Sequence, residues 1–563
     1  MFVRSALRAA LAPSIGLAAL ALAALPGGAN EAVTVDQGPD WTPATQTQFY
    51  SQDQGSQLIP LAWFLALQKP NGQPFLGEHL SRYGYLPNPA SPTPGLPIGF
   101  TVNGDGDGTM VGLTCAACHT RQLLVGGIAY RIDGGPAIVD IHAFLDDLDT
   151  AVGTVVKGGA AFRAFADTVL GPAAPPAARV ALSNAVQAWY LRYHTLIERT
   201  LPSASWGPGR YDIVSSIFNQ LGGLDIGPPP SHLLPGNLQV AAAPVRYPFL
   251  WNAPIQDRTQ WPGFAQNGNR ILALERNLGE LFGTFATFAP QQSGQGIDYL
   301  AVNSANFEGL FALEELIKKI GPPQWPWAVN KALAARGEAI FARPRANGGC
   351  VDCHGIKPGI TRPIGQKTWA TPVLDVGTDS REYAILARTA KTGVLEGASL
   401  KGDPTPLPAV APAIDLLDIT VLGSVEQYCR KHPLQCSGAD YSWLDRSAPK
   451  RAARLQSGAP AYAYEARVLQ GIWAAAPYLH NGSVPSLAQL LTPPTQRVTS
   501  FKVGSNYDRD TVGLATVQTQ FKHVFKATGC DARDSGDSNC GHDFGTRLSA
   551  SNKTALLEYL KSL

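Results

Sequence analysis

Cysteine and histidine are scarce in this chain, 8 and 10 among 563 residues. Methionine is scarcer, with only Met1 and Met110. Charge is almost balanced, 45 Lys and Arg against 43 Asp and Glu. That balance offers no basic face of the kind a nucleic-acid partner requires. Beyond the first 29 residues no stretch is apolar enough to cross a bilayer, so no transmembrane span is expected. No cysteine follows the N-terminal apolar stretch, which argues against a lipoprotein anchor.

Residues 1–29 read as a secretory signal peptide. Arg4 and Arg8 form its charged start, Leu11 to Leu25 is rich in Ala and Leu, and Pro26 to Ala29 offers small residues for cleavage. Pro13 and Ser14 interrupt the apolar run and leave it short for a membrane anchor. The mature chain is therefore expected in the periplasm or outside the cell, with 43 side chains of each sign.

Half of the scarce cysteines fall in two short motifs. Cys115-Ala116-Ala117-Cys118-His119 and Cys350-Val351-Asp352-Cys353-His354 both read C-x-x-C-H, the attachment sequence of a c-type haem. Two thiols at this spacing add to the two vinyl groups on one edge of a porphyrin, and the next histidine binds the iron axially. At these compositions a chance match is expected on the order of 0.002 times per chain. A redox C-x-x-C would want a thioredoxin-like βαβ context, and a zinc site would want a second cysteine pair nearby. Neither is visible. Two covalently bound haems c are expected, with His119 and His354 as proximal ligands. Export places the other four cysteines in an oxidising compartment. Of their three possible pairings, Cys429–Cys436 and Cys530–Cys540 are favoured because each closes a short loop.

With 57 Gly and 45 Pro the chain should carry many irregular loops around its prosthetic groups. The predicted fold is mainly α, with two cytochrome c-like haem domains and long loop-rich insertions. The N-terminal haem domain spans 30–320, Pro322 to Pro326 marks a linker at 321–327, and a C-terminal cytochrome c domain spans 328–563. Apolar periodicity predicts helices over Leu58–Leu67, Ala137–Val152, 160–200 with a break at Pro172 to Pro176, Asn277–Phe288, Lys331–Phe341 and Asn552–Leu563. The run Asn103 to Gly108 reads first as a surface turn and second as an incomplete Ca2+ loop, because its twelfth position is Thr114 rather than Glu.

Three further stretches carry a resemblance. They are Pro477-Tyr478-Leu479-His480-Asn481-Gly482-Ser483-Val484-Pro485, Leu250-Trp251-Asn252-Ala253 followed by Gln260-Trp261 and Leu274-Glu275, and Gly541-His542-Asp543-Phe544-Gly545. With the two haem motifs and Arg131 to Ala137, the chain resembles the di-haem cytochrome c peroxidase superfamily, closest to its rubber-oxygenase-like branch. The resemblance implies a haem-dependent oxidoreductase. The first haem would take peroxide or O2, and the second would be six-coordinate and pass electrons to or from a redox partner protein. It implies Gln260 and Glu275 as polar groups beside the first haem, the carboxylate moving a proton. Glu280 is the substitute, and a helix-starting role is the alternative for Glu275. His542 is implied as the distal ligand of the second haem, ahead of His480. Many superfamily members use methionine there, which two methionines so placed cannot supply. Trp251 reads either as an electron relay between the haems or as core. Two rival functions stay open, a dioxygenase acting on a hydrophobic organic substrate and a non-enzymatic electron carrier.

Overall fold

The first C-x-x-C-H motif occupies a corner between two small sheets. The first sheet joins β2 (Ile59–Pro60), β3 (Phe100–Asn103) and β4 (Met110–Leu113), with β4 in the middle and Val111 opposite both Ile59 and Val102. The second joins β1 (Val33–Thr34), β5 (Thr120–Val125) and β6 (Ile128–Asp133), with β6 central and Leu123 opposite Tyr130. One helical turn, Cys115–Cys118, links β4 to β5. Gly99, with φ +80°, makes room for it. A Cβ there would lie 2.0 Å from the Ala117 nitrogen.

The computed structural model describes residues 32–294, 296–362, 366–400, 404–436, 462–530 and 533–563. The expected signal peptide lies outside them. Helix α1 (Ile141–Val156) starts where the Asp140 side chain accepts from the Ala143 N–H, and it buries Phe144, Leu145, Leu148 and Val152. It packs on α2 (Pro176–Thr200), which begins with proline, the residue that tolerates a first turn. Then come α3 (Arg270–Phe282), α4 (Phe307–Ile317), α5 (Lys331–Phe341), α6 (Ala413–Lys431) and α7 (Ala550–Lys561). Helix α3 packs against both α4 and α6. Helices α5 and α7 cross so closely that a Cβ on Gly337 would lie 2.0 Å from the Ala555 carbonyl oxygen. Phe341 and Tyr559 meet there with ring centroids 5.4 Å apart. This is the helix pair expected around the second motif.

The expectation of a mainly α fold is wrong. Helix accounts for 39% of the structure and strand for 15%, so the fold is mixed α/β. The described residues form nine sheets, each of two or three short strands. The cause is the glycine and proline content. Loops broken too often for helix still bury their peptide groups, and short ladders pair those groups. Residues 32–563 pack as one unit. Trp325 and Trp327, in the expected linker, pack on Trp473 at 5.2 and 5.9 Å. Both expected disulfides are present, with Cα–Cα distances of 5.5 Å for Cys429–Cys436 and 5.3 Å for Cys530–Cys540. The stretch read as a turn or Ca2+ loop contains a 3-10 turn at Gly106–Gly108. Among the described residues no cluster of three or more His, Cys, Asp or Glu is gathered to hold a metal ion. No described helix is long and apolar enough to cross a membrane.

Candidate functional site

The His119 N–H closes the motif turn on the Cys115 carbonyl at 3.0 Å, and Cys115, Cys118 and His119 line one cavity. Both thiols are free of disulfides. Burial pushes each up to about 12, so they are neutral thiols and not the reactive thiolates of a redox pair. His119 Nδ1 lies 2.8 Å from the Pro248 carbonyl oxygen. Burial lowers the imidazole to about 4, so the ring is neutral and Nδ1 carries the donated proton. Nε2 keeps its lone pair, the arrangement a metal-ligating histidine uses.

The second motif repeats this geometry. Cys350, Cys353 and His354 line a second cavity, whose walls include Leu469, Leu487, Leu556 and Leu560. His354 Nδ1 lies 2.8 Å from the Arg467 carbonyl oxygen, and burial lowers its pKa. His542 lines the same cavity, its ring centroid 6.1 Å from that of His354. Burial, with His354 and Arg497 nearby, lowers His542 to about 3. A metal bound to both imidazoles at roughly 2 Å would sit about 3 Å from each centroid, which matches this separation. The residue itself is held in the left-handed region, φ +47°, with its N–H on the Val376 carbonyl at 2.8 Å. Arg497 grips the loop by donating to the carbonyls of Asn539, Gly541 and His542 at 2.6, 2.9 and 3.0 Å. Two free thiols, a neutral imidazole and an apolar envelope fit a covalently bound haem c at each site.

The other candidate histidines lie elsewhere or have another neighbour. His480 lines the second cavity, but its Nε2 is 3.0 Å from Asp379 Oδ2 and its ring stacks on Tyr464 at 3.7 Å. His79 meets the Gly95 carbonyl, His142 packs edge-on against Trp206, and His194 meets Asp149. None of these three lines the first cavity, nor does His232. His119 is the one histidine among the described residues that do.

In the first cavity the expected Gln260 is present and the expected Glu275 is not. Glu280 takes its place. Glu275 lies five residues earlier on α3, about 140° round the helix, and faces a smaller adjoining cavity. Gln260 Nε2 donates to Glu280 Oε1 at 2.5 Å. Burial raises the Glu280 pKa, opposed by that hydrogen bond and by Arg276. The Arg276 charge is itself matched by Glu314. Gln260 has φ +67°, a strained conformation for a non-glycine residue at the edge of a site.

Trp251 does not line either cavity. It is fully buried, stacked on Phe249 at 4.6 Å, and its Nε1 donates to the Gln470 carbonyl at 2.7 Å. The wall common to both cavities is made of Arg246, Phe249, Trp261, Glu465 and Arg467. Burial raises Glu465 to about 7, although Arg467 and Arg246 both oppose this. Sequence reasoning missed Glu465 and Arg467. A charged pair spaced i, i+2 beside an aromatic residue carries no distinctive signal.

Residues 463–502, which contain this pair and the Pro477–Pro485 stretch, match the family described as RoxA-like, cytochrome c-like. Two proteins of Sinorhizobium fredii (strain NBRC 101917 / NGR234), both called uncharacterized, are similar to the chain. The protein y4iJ is 28% identical over 586 residues, covering 93% of this chain and 92% of that protein. The protein y4iM is 28% identical over 305 residues, covering 53% of this chain and 56% of that protein. The family match supports a cytochrome c relationship of the rubber-oxygenase kind, with covalently bound haem c.

Proposed function

We propose that this chain is an exported di-haem cytochrome c of the rubber-oxygenase type, which acts on O2 and an apolar organic substrate at the first haem. The observation that carries the reading is the difference between the two cavities. His542 faces His354 at 6.1 Å, whereas His119 is the one described histidine on the first cavity. A bound haem c supplies one-electron redox chemistry and a metal site for a small oxygen ligand.

The chain's own residues do the rest. Cys115 and Cys118 would hold one ring and Cys350 and Cys353 the other. His119 and His354, each fixed by a main-chain carbonyl, would ligate the irons, and His542 would be the second ligand at the second site. Leu113, Tyr247, Phe249 and Ile317 give the first cavity apolar surface, beside the polar Gln260, Arg276 and Glu280. Glu280, whose burial favours the protonated form, is the carboxyl placed to take up or give a proton there, and the Gln260 amide orients it. A haem held at the second site would supply a place for electron exchange with a redox partner protein. A second reading, reduction of peroxide, is favoured by the same Glu280, because splitting a peroxide needs a group that takes up and returns a proton.

The resting spectrum of the protein tests the proposal. One haem should be low-spin and one should have a high-spin component that binds CO when reduced. Two low-spin haems that bind neither CO nor cyanide would make the protein an electron carrier. Recovery of one covalent haem per chain would remove the two-site scheme.

A further inference from the structure

Glycine is unfavourable in the middle of a helix, yet Gly279 sits inside α3 with ordinary helical backbone. Packing does not demand it. A Cβ at 279 would meet Leu417 Cδ1 and Val421 Cγ2 of α6 at 3.8 Å, which is normal contact. The missing side chain leaves a groove between α3 and α6, lined also by Ile217, Phe264 and Leu272. Half-buried Glu275 and Asp418 line it too. Gln260 and Glu280, and Arg276 with them, also line the first haem cavity. The hydrogen bond between the Gln260 and Glu280 side chains is the partition between groove and cavity.

We propose that this groove is the passage by which a slender apolar chain, an alkyl or alkenyl group, reaches the first haem site. Gly279 sets its width and the Gln260–Glu280 pair closes its inner end. The apolar part of the lining, Ile217, Phe264, Leu272, Leu417, Val421 and Leu422, suits such a chain, although Glu275, Arg276, Glu280 and Asp418 line the groove as well. Arg276, the cation nearest the partition, is held by Glu314 and by Asn267. Passage requires two side chains to turn aside while the main chain stays in place. The inference rests on an open first haem.

The test uses the reduced, haem-loaded protein and two ligands, CO as a small probe and n-hexyl isocyanide as an apolar chain. Association rates are read by flash photolysis or stopped flow. Gly279→Leu should slow isocyanide association about tenfold or more and slow CO by a smaller factor, with the final spectra unchanged. Val421→Phe, which blocks the groove from the other helix, should do the same, and Leu417→Ala should speed isocyanide entry. Unchanged isocyanide rates in both blocking variants would overturn the passage while leaving the open site standing. A parent protein that binds neither ligand would overturn the open site and the passage together.

Discussion

The imidazoles of His119 and His354 are joined through one run of hydrogen bonds, a peptide link and the Arg467 side chain. His119 Nδ1 donates to the Pro248 carbonyl at 2.8 Å. The next carbonyl, that of Phe249, accepts from Arg467 Nη1 at 2.7 Å. The carbonyl of Arg467 accepts from His354 Nδ1 at 2.8 Å. A ligating histidine keeps its ring angle only while its second nitrogen is held, so Arg467 sets the frame for both rings.

Arg467 is also half of a buried ion pair, with Nε 3.6 Å from Glu465 Oε1. Arg467→Gln removes the charge that most opposes the rise of the buried Glu465 carboxyl, already raised to about 7 with Arg467 present, and leaves the group in the wall without that partner. The expected loss of stability is about 3–5 kcal/mol. Arg467→Met combined with Glu465→Leu should recover most of it, since both charges are then gone. Urea midpoints of the two variants decide the matter. A double variant as unstable as the single one would mean that the cost lies in the lost Phe249 link.

Stability should also depend on pH through Asp225. Burial raises its carboxyl to about 7 even with Arg192 beside it. In the unfolded chain it ionises near the ordinary value of about 3.9. Between those values the native state keeps a proton that the unfolded chain has released, so stability is greatest below about pH 4 from this group alone. It falls as pH rises to 7 and then levels, by an amount of order 4 kcal/mol at most. Asp225→Asn should flatten that slope in denaturation curves taken from pH 4 to 8. An unchanged slope would assign the dependence to other buried acids, with Glu465 first among them.

Some of this architecture is legible in the sequence and some is not. The range predicted for α5, Lys331–Phe341, is the observed one, because its apolar spacing is undisturbed and Asn330 caps it. The helix expected at Asn277–Phe288 instead runs Arg270–Phe282, capped by Asn269 and ended at Gly283. That shift turned the site reading, because a helix that begins earlier carries Glu280 toward the haem cavity and Glu275 away from it. The two haem motifs and both disulfides are local in the chain, so spacing alone reveals them. The shared wall is not local. Phe249 and Arg467 lie more than two hundred residues apart, and only folding brings their hydrogen bond together.

The His542 assignment is separable from its rival. His542→Ala should make the second haem high-spin and leave the first unchanged, as read by electron paramagnetic resonance of the oxidised protein. His480→Ala should leave both spin states alone, because the His480 ring nitrogen is already engaged with Asp379. Arg497→Ala frees the loop that carries His542 and should give a mixture of the two spectra. A parent-like spectrum for His542→Ala would remove it from the ligand set.

The sharpest contrast lies on α3. Both Glu275 and Glu280 are candidates for the proton-moving group, and the two face different cavities. If acid–base chemistry at the first haem runs through Glu280, Glu280→Gln should keep both haems bound and leave the cyanide equilibrium nearly intact. Peroxide turnover should fall by ~10²–10⁴, the usual loss for such a group. Glu275→Gln should stay near the parent rate. Gln260→Ala should fall between them, because the Glu280 carboxyl remains but loses the amide that orients it. Peroxide turnover that survives Glu280→Gln, or a parent that ignores peroxide and takes up O2, would exclude the peroxidase reading. The oxygenase reading would then stand alone, with Glu280 acting only as the inner partition of the groove.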